Sequence, residues 1–236
     1  MGKPFLQKVK HRLARMRLRP IPVFLFHQVS DVFEPETMWD IDWTQTDAFK
    51  RNILALRKKF TFIPLTEVKE HLARDRFRFR NYAALTSDDG WASLKSILPW
   101  LVENKIPVTL FLNPSCLDGN HHNSRKTDKL LTEEEVRQIV KEGAPYISIA
   151  SHGWTHKSCT AMSMEEFKES AQKSEEALGR LPAKVPYYAF ASGLYTSEQV
   201  AFLRASGLVP VFVDGMTNED PASIHRYCID GKTIHG

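Results

Sequence analysis

Two short polar motifs contain the side chains best suited to chemistry, and each follows a run of apolar residues. The first is Thr86-Ser87-Asp88-Asp89-Gly90, and the second is Ser151-His152-Gly153-Trp154-Thr155-His156. Two adjacent carboxylates repel each other, so both stay ionised only where a positive charge stabilises them. His152 and His156 are spaced i and i+4, which on a helical turn brings both imidazoles within reach of one cation.

The pairing of these motifs predicts a metal-dependent site for hydrolysis. Alone, Asp-Asp-Gly is typical of a solvated turn, and two histidines at this spacing are typical of a surface pair. The occurrence of both motifs, each directly after a strand that reads as buried, is harder to explain as a solvated turn and a surface pair. One carboxylate and two imidazoles could hold a divalent ion, and the second carboxylate could then act as a general base.

The elements that must position these motifs alternate between β-strand and helix patterns. Such alternation indicates parallel strands joined by helices, in either a doubly wound sheet or a barrel. In both folds the carboxyl ends of the strands gather the polar residues. The 236 residues suit a single α/β domain with one sizeable core.

Charge is distributed unevenly along the chain. Residues 1–19 contain seven Lys or Arg and no acid, whereas residues 20–236 have 25 bases and 28 acids, so the body shows no bias towards nucleic acid. Phe5, Val9, Leu13 and Met16 repeat at helical spacing in the first segment. A basic amphipathic helix could lie on an anionic membrane; packing on the barrel or a disordered tail are the alternatives.

The few cysteines, and the lack of a secretory signal or a long apolar run, predict the cellular compartment. Three widely spaced cysteines form neither a disulfide framework nor a zinc cluster, which favours a reducing compartment. The sequence shows no secretory signal and no apolar run of the ~20 residues that a membrane span needs. We therefore expect a cytoplasmic protein, peripheral to the inner membrane face if residues 1–19 bind lipid.

The two motifs resemble the signature of the polysaccharide deacetylases of carbohydrate esterase family 4, the NodB-homology group. That signature reads Thr-Phe-Asp-Asp-Gly and then Ser-His-x-x-x-His, and Ser87 replaces its Phe here. The resemblance extends over about residues 21–230. It implies a distorted, incomplete (β/α) barrel with parallel strands in a single domain, residues 20–236, with the site at the carboxyl ends of the strands.

The same resemblance implies a role for each motif residue. Asp88 would be the general base, while Asp89, His152 and His156 would bind one divalent metal ion. Such a ligand set suits Zn²⁺, with Co²⁺, Ni²⁺ or Mn²⁺ as alternatives. Trp154 is predicted to contact the sugar, although a core role explains it equally well.

Two further stretches resemble parts of the same family. Residues 188–193 correspond to Phe-Ala-Tyr-Pro-Tyr-Gly of one branch, which implies that the Ser192 N–H faces the oxyanion, unless Gly193 merely ends a turn. Residues 26–29 resemble the Tyr-His-x-Val of the circularly permuted branch, which includes poly-N-acetylglucosamine deacetylases. This implies His27 as the general acid, with a structural histidine as the alternative and His225 as the reserve candidate.

Arg226 is predicted to contact the substrate or to pair with Asp88 and keep it ionised, unless it forms a plain surface salt bridge. Together these predictions describe a metal-dependent hydrolase that removes an N-acetyl group from a sugar of a surface glycan, of O-antigen or capsule type, on the cytosolic side. A sugar deformylase or O-deacetylase is the alternative enzyme. A non-catalytic glycan-binding or assembly protein of the same fold is the alternative from another class.

Overall fold

The structure is a computed structural model that describes residues 20–35, 42–74, 81–120, 129–215, 218 and 222–234. The strands are β1 Val23–Phe26, β2 Gln28–Ser30, β3 Trp43–Gln45, β4 Thr61–Phe62, β5 Tyr82–Ser87, β6 Val108–Leu112, β7 Asp118–Asn120, β8 Lys129–Thr132, β9 Ile147–Ser151, β10 Lys184–Ala189, β11 Val209–Phe212 and β12 Ile224–Cys228. The helices are α1 Thr46–Lys59, α2 Leu65–Arg74, α3 Leu98–Glu103, α4 Glu133–Glu142, α5 Met164–Leu178 and α6 Ser197–Ala205. The predicted segment 1–19 lies outside the described residues.

Seven parallel strands form a barrel in the order β1-β12-β11-β10-β9-β6-β5, which closes because β1 also pairs with β5. β4 adds to β5 outside this ring. Seven strands are one fewer than a complete (β/α)₈ barrel has. The predicted distorted, incomplete (β/α) barrel is therefore confirmed, and the doubly wound sheet is excluded.

The first strand of the chain lies between the last strand, β12, and the strand that leads to the Asp-Asp turn, β5. Phe26 is in register with Ser87, and the Asp88 N–H donates to the Phe26 carbonyl at 3.3 Å. The residues that follow these two strands therefore meet at one end of the barrel, so His27 comes level with Asp88.

The barrel interior is filled by small and large side chains in alternation. Ala84, Ala150 and Ala189 leave room for the ring of Phe111 and for Arg226, both completely buried. The Arg226 guanidinium carbon lies 5.0 Å from the centroid of the Phe111 ring. A second cluster of apolar residues packs the outer face of the strands against the helices.

Local sequence signals mark the helix starts. α4 and α5 begin with capping boxes, Thr132 with Glu135 and Ser163 with Glu166. α1 is capped by the Gln45 side chain, which accepts a hydrogen bond from the Ala48 N–H. A 3₁₀ turn covers Ala92–Ser96 and α3 starts afresh at Leu98–Pro99, because proline suits only the first turn of a helix.

Within the described residues, no helix is both long and apolar enough to cross a membrane.

Candidate active site

The two carboxylates leave β5 through a tight turn of left-handed backbone. Asp89 has φ 69° and Gly90 has φ 77°, and the Gly90 N–H donates to the Asp88 carbonyl at 2.9 Å. A Cβ at Gly90 would approach the Leu112 side chain to 2.6 Å, so only glycine fits this position. The turn holds Asp88 and Asp89 against different partners although they are neighbours in sequence.

Asp88 forms a buried ion pair inside the barrel. Arg226 Nη1 lies 2.6 Å from Asp88 Oδ1, and Nη2 lies 2.8 Å from Oδ2, a two-point contact between groups with almost no exposure. Burial alone would raise the pKa of the Asp88 carboxyl, but the Arg226 charge and hydrogen bonds outweigh it, and the pKa lies below its usual value. Asp88 is therefore an anion with a fixed orientation.

Asp89 faces two imidazoles. Its Oδ1 lies 3.4 Å from His152 Nε2 and 3.2 Å from His156 Nε2, and its Oδ2 accepts a hydrogen bond from Trp91 Nε1 at 3.0 Å. His152 Nδ1 lies 3.0 Å from the Ala189 carbonyl, to which it can only donate, so Nε2 is left to face the carboxylate. Burial would raise the pKa of Asp89, but His156 and His152 lower it well below its usual range.

This three-residue set fits a divalent metal ion. The three candidate ligand atoms all lie within 4.8 Å of one another. Asp89 Oδ1 is buried and accepts no well-aligned hydrogen bond, an arrangement that a cation would satisfy. One carboxylate and two imidazoles are ligands typical of catalytic zinc, and the partial exposure of His156, at 25%, leaves one side open to solvent.

The two histidines converge through a bend and not through the helical turn that their spacing suggested. Residues 152–156 follow β9 without helix, and Gly153 has φ 86°. The buried Asn113 side chain donates to the carbonyls of His152 at 2.6 Å and Gly153 at 3.2 Å, which holds the bend in place. Asn113 is not among the site residues predicted from the sequence, although its position directly after β6 is a usable signal.

His27 follows β1 and pairs with a carboxylate that the sequence analysis overlooked. His27 Nδ1 lies 2.6 Å from Asp230 Oδ2, and the His27 N–H donates to Asp230 Oδ1 at 3.0 Å. Burial would lower the pKa of His27, but hydrogen bonds with Asp230 and Cys228 raise it well above its ordinary value. The positive charge of His27 in turn lowers the pKa of both Asp88 and Asp89, so the three groups share one site.

His225, the reserve candidate for the acid, lies elsewhere. Its Nδ1 contacts Asp214 Oδ2 at 2.7 Å, and its ring packs 5.1 Å from that of Phe212. Side chains alternate along a strand, and Arg226 points into the barrel, so its neighbour His225 points outwards. Arg226 has its guanidinium fully buried against Asp88, which is the pairing that the sequence analysis gave as the alternative to substrate contact.

Ser192 and Trp154 lie in the loops that follow two neighbouring strands of the barrel, β10 and β9. Ser192 lies in the 3₁₀ turn Ala191–Gly193 that follows β10, with φ 62°, three residues after the carbonyl that orients His152. Trp154 is partly exposed in the bend; its N–H donates to Ser170 Oγ on α5 at 3.1 Å. It lines a cavity of about 200 Å³ against α5, together with Lys157 and Met162.

The barrel and the charged residues at its carboxyl end define a hydrolase site of the carbohydrate deacetylase type. The family model for polysaccharide deacetylase matches residues 78–211, more than half of the 236 residues, and this chain belongs to that family. It is thus a carbohydrate deacetylase by family and fold. A comparison with curated protein sequences finds no match.

Three solved structures share the fold. IcaB from Ammonifex degensii has a TM-score of 0.72 at 17% identity, over 91% of this chain and 94% of that chain. The Streptococcus pyogenes deacetylase PplD in complex with acetate has a TM-score of 0.71 at 17% identity, over 89% and 92% of the two chains. A de-N-acetylase from Aggregatibacter actinomycetemcomitans has a TM-score of 0.74 at 17% identity, over 92% and 97%.

Proposed function

We propose that this protein removes the N-acetyl group from an amino sugar of a surface glycan, with one divalent metal ion as cofactor. The observation that carries the proposal is the arrangement of three charge-paired groups at one end of the barrel. Asp88 pairs with Arg226, Asp89 with His152 and His156, and His27 with Asp230. A base, a metal site and an acid are the parts that amide hydrolysis needs.

Asp89, His152 and His156 would hold the ion, Zn²⁺ first and Co²⁺, Ni²⁺ or Mn²⁺ as alternatives. When bound, the ion supplies Lewis acidity, which polarises the acetyl carbonyl and makes a nearby water more acidic. His152 presents Nε2 because the Ala189 carbonyl binds Nδ1, and Asp89 keeps its orientation through Trp91. These two contacts preorganise the ligands before any ion binds.

Asp88 accepts the proton of the attacking water. The Arg226 pair keeps its carboxylate ionised at neutral pH, as a general base requires. The water oxygen bonds to the acetyl carbon, and negative charge develops on the carbonyl oxygen. The Ser192 N–H, in the turn after β10, is the protein donor that we assign to this oxygen.

His27 then donates a proton to the sugar nitrogen as the C–N bond breaks, which yields acetate and a free amine. Since Nδ1 faces Asp230, Nε2 is the ring nitrogen left for this transfer. An amine leaves only after protonation, whereas an alcohol leaves far more readily from an ester. Burial would lower the pKa of His27, but the hydrogen bonds with Asp230 and Cys228 raise it well above its ordinary value, so a protonated imidazole is available for this step.

The name of the Aggregatibacter protein, a de-N-acetylase, adds support for the N-acetyl assignment. As part of the same proposal, residues 20–236 form the catalytic domain and Trp154 contacts the glycan. The basic segment 1–19 would place the enzyme at the cytosolic face of the membrane, next to a lipid-linked glycan of O-antigen or capsule type.

Matched N-acetyl, N-formyl and O-acetyl forms of one amino sugar test the proposal. We expect acetate release from the N-acetyl form, loss of activity on chelation, and recovery with Zn²⁺. Asp88→Asn should keep the metal and lose at least ~100-fold in turnover, the usual contribution of a general base. Faster release from the N-formyl or O-acetyl form would instead identify a deformylase or an esterase. Glycan binding without turnover of any form would indicate a binding protein.

A further inference from the structure

A second group of metal-binding side chains lies beside the acid. Cys228 ends β12 two residues after Arg226, so its side chain points to the same inner face of the barrel. Cys228 is in register with Leu25 of β1, two residues before His27. Cys228 Sγ lies 3.2 Å from Asp230 Oδ2, the oxygen that also lies 2.6 Å from His27 Nδ1. All three candidate ligand atoms lie within 4.8 Å of one another.

The chemistry of this group differs from that of the Asp89 set because it contains sulfur. Thiolate, imidazole and carboxylate together favour Zn²⁺, Co²⁺ or Cd²⁺ and disfavour Mg²⁺ and Ca²⁺. Around a tetrahedral ion with bonds of about 2.0–2.3 Å, neighbouring ligand atoms stand roughly 3.3–3.8 Å apart. The sulfur-to-oxygen distance is already close to this, and the nitrogen-to-oxygen distance needs to open by about 1 Å.

A further carboxylate lies near this group, on the side through which an ion could enter. Asp42 Oδ1 lies 3.9 Å from His27 Nδ1, on the side where both residues reach solvent. Coordination needs the thiolate and a neutral imidazole, so the thiol proton and the proton shared by His27 and Asp230 would pass to water.

We propose that His27, Cys228 and Asp230 form a second site for a thiophilic divalent ion, and that its occupation inhibits the enzyme. Binding would use Nδ1 of His27, the nitrogen that faces Asp230, and would leave a neutral imidazole whose Nε2–H is a far weaker acid than that of imidazolium. His27 could then no longer protonate the leaving amine. One equivalent of metal, bound at the Asp89 set, would support activity, whereas an excess would suppress it. The inhibitory part rests on the proposed function, and the binding part does not.

Cobalt reports the second site separately, because the Asp89 set has no sulfur. Titration of the metal-free full chain with Co²⁺ should produce a thiolate-to-cobalt charge-transfer absorption. Asp89→Asn should retain this absorption, and Cys228→Ser and Cys228→Ala should lose it while keeping the circular dichroism of the parent. Cys116→Ser is the matched control and should retain it, since Cys116 is buried beside Ser115 and belongs to neither group of candidate ligands. No sulfur absorption in excess Co²⁺, or an absorption that survives both Cys228 variants, overturns the site.

Inhibition is tested as the ratio of activity in excess Zn²⁺ to activity at one equivalent, within each variant. We expect the parent to lose about 100-fold at saturation, the scale of a lost general acid, and Cys228→Ser to lose much less. Equal ratios in the two proteins would overturn the inhibitory role. If the cobalt absorption appears but no sugar is deacetylated, the proposed function fails and the second site stands.

Discussion

Replacement of Arg226 by methionine tests whether Asp88 depends on its buried partner. Arg226 makes two contacts with Asp88, at 2.6 and 2.8 Å, and neither side chain can recruit water to replace them. Methionine retains much of the apolar volume against Phe111, so the main loss is the charge. Removal of one partner from a buried ion pair typically costs about 3–5 kcal/mol, because the other charge stays buried without compensation.

The assay is urea unfolding of four proteins that form a cycle: the parent, Arg226→Met, Asp88→Asn and the double variant. We expect the double variant to be more stable than Arg226→Met, because a neutral amide leaves no buried charge. The catalytic consequence has a defined sign. Without Arg226, burial raises the pKa of Asp88, and the acid side of the kcat/KM profile moves to higher pH. A cost below ~1 kcal/mol, or a cost that Asp88→Asn does not change, would refute this reasoning.

Three further predictions address the metal, the acid and the N-terminal segment. His152→Ala should reduce bound metal in the purified protein relative to the parent, and equal metal contents would contradict the assigned ligands. Asp230→Asn should lower the pKa of His27, because burial then acts without the opposing carboxylate; the alkaline side of kcat/KM should move to lower pH, and an unmoved limb would contradict the role of His27 as acid. The full chain should co-sediment with anionic vesicles more strongly than a chain that starts at Pro20, by up to about 1 kcal/mol per basic residue, and equal binding would exclude an anchor at residues 1–19.

The raised pKa of His27 also links folding to pH. A histidine whose folded pKa exceeds its unfolded value stabilises the folded protein most below the unfolded value, near 6.5. That contribution is lost as the pH rises through the folded pKa. Asp230→Asn should therefore destabilise the protein more in mildly acidic than in alkaline solution, which unfolding curves at the two pH values would reveal.

The barrel and the meeting of its polar strand ends could be predicted from sequence. Asp89, His152 and His156 each follow an apolar run, and parallel strands bring their carboxyl ends to one face whatever the intervening loops do. The position of His27 beside them required the resemblance to the permuted branch, because β1 could in principle have joined either edge of an open sheet.

What could not be predicted depends on contacts between distant parts of the chain. Asp230 is 203 residues from His27, and no local pattern marks the pair. Neighbouring residues of a strand point to opposite faces, so only one of His225 and Arg226 can face the barrel interior. The sequence does not show which of the two it is. The bend at His152 is held by Asn113, which follows β6 and donates to the carbonyls of His152 and Gly153, and periodicity within residues 151–156 cannot show this contact.

The charge balance of the site explains why adjacent carboxylates can perform different tasks. Asp88 is paired with the guanidinium of Arg226, so its carboxylate stays ionised, as the proposed base requires. His27 and Asp230 form a second neutral pair. Asp89 faces imidazoles, which are neutral when they act as ligands, so with a divalent ion this set carries one net positive charge. That charge equals the single negative charge that develops on the carbonyl oxygen during amide hydrolysis, so the occupied site would be neutral overall at that stage of the proposed reaction.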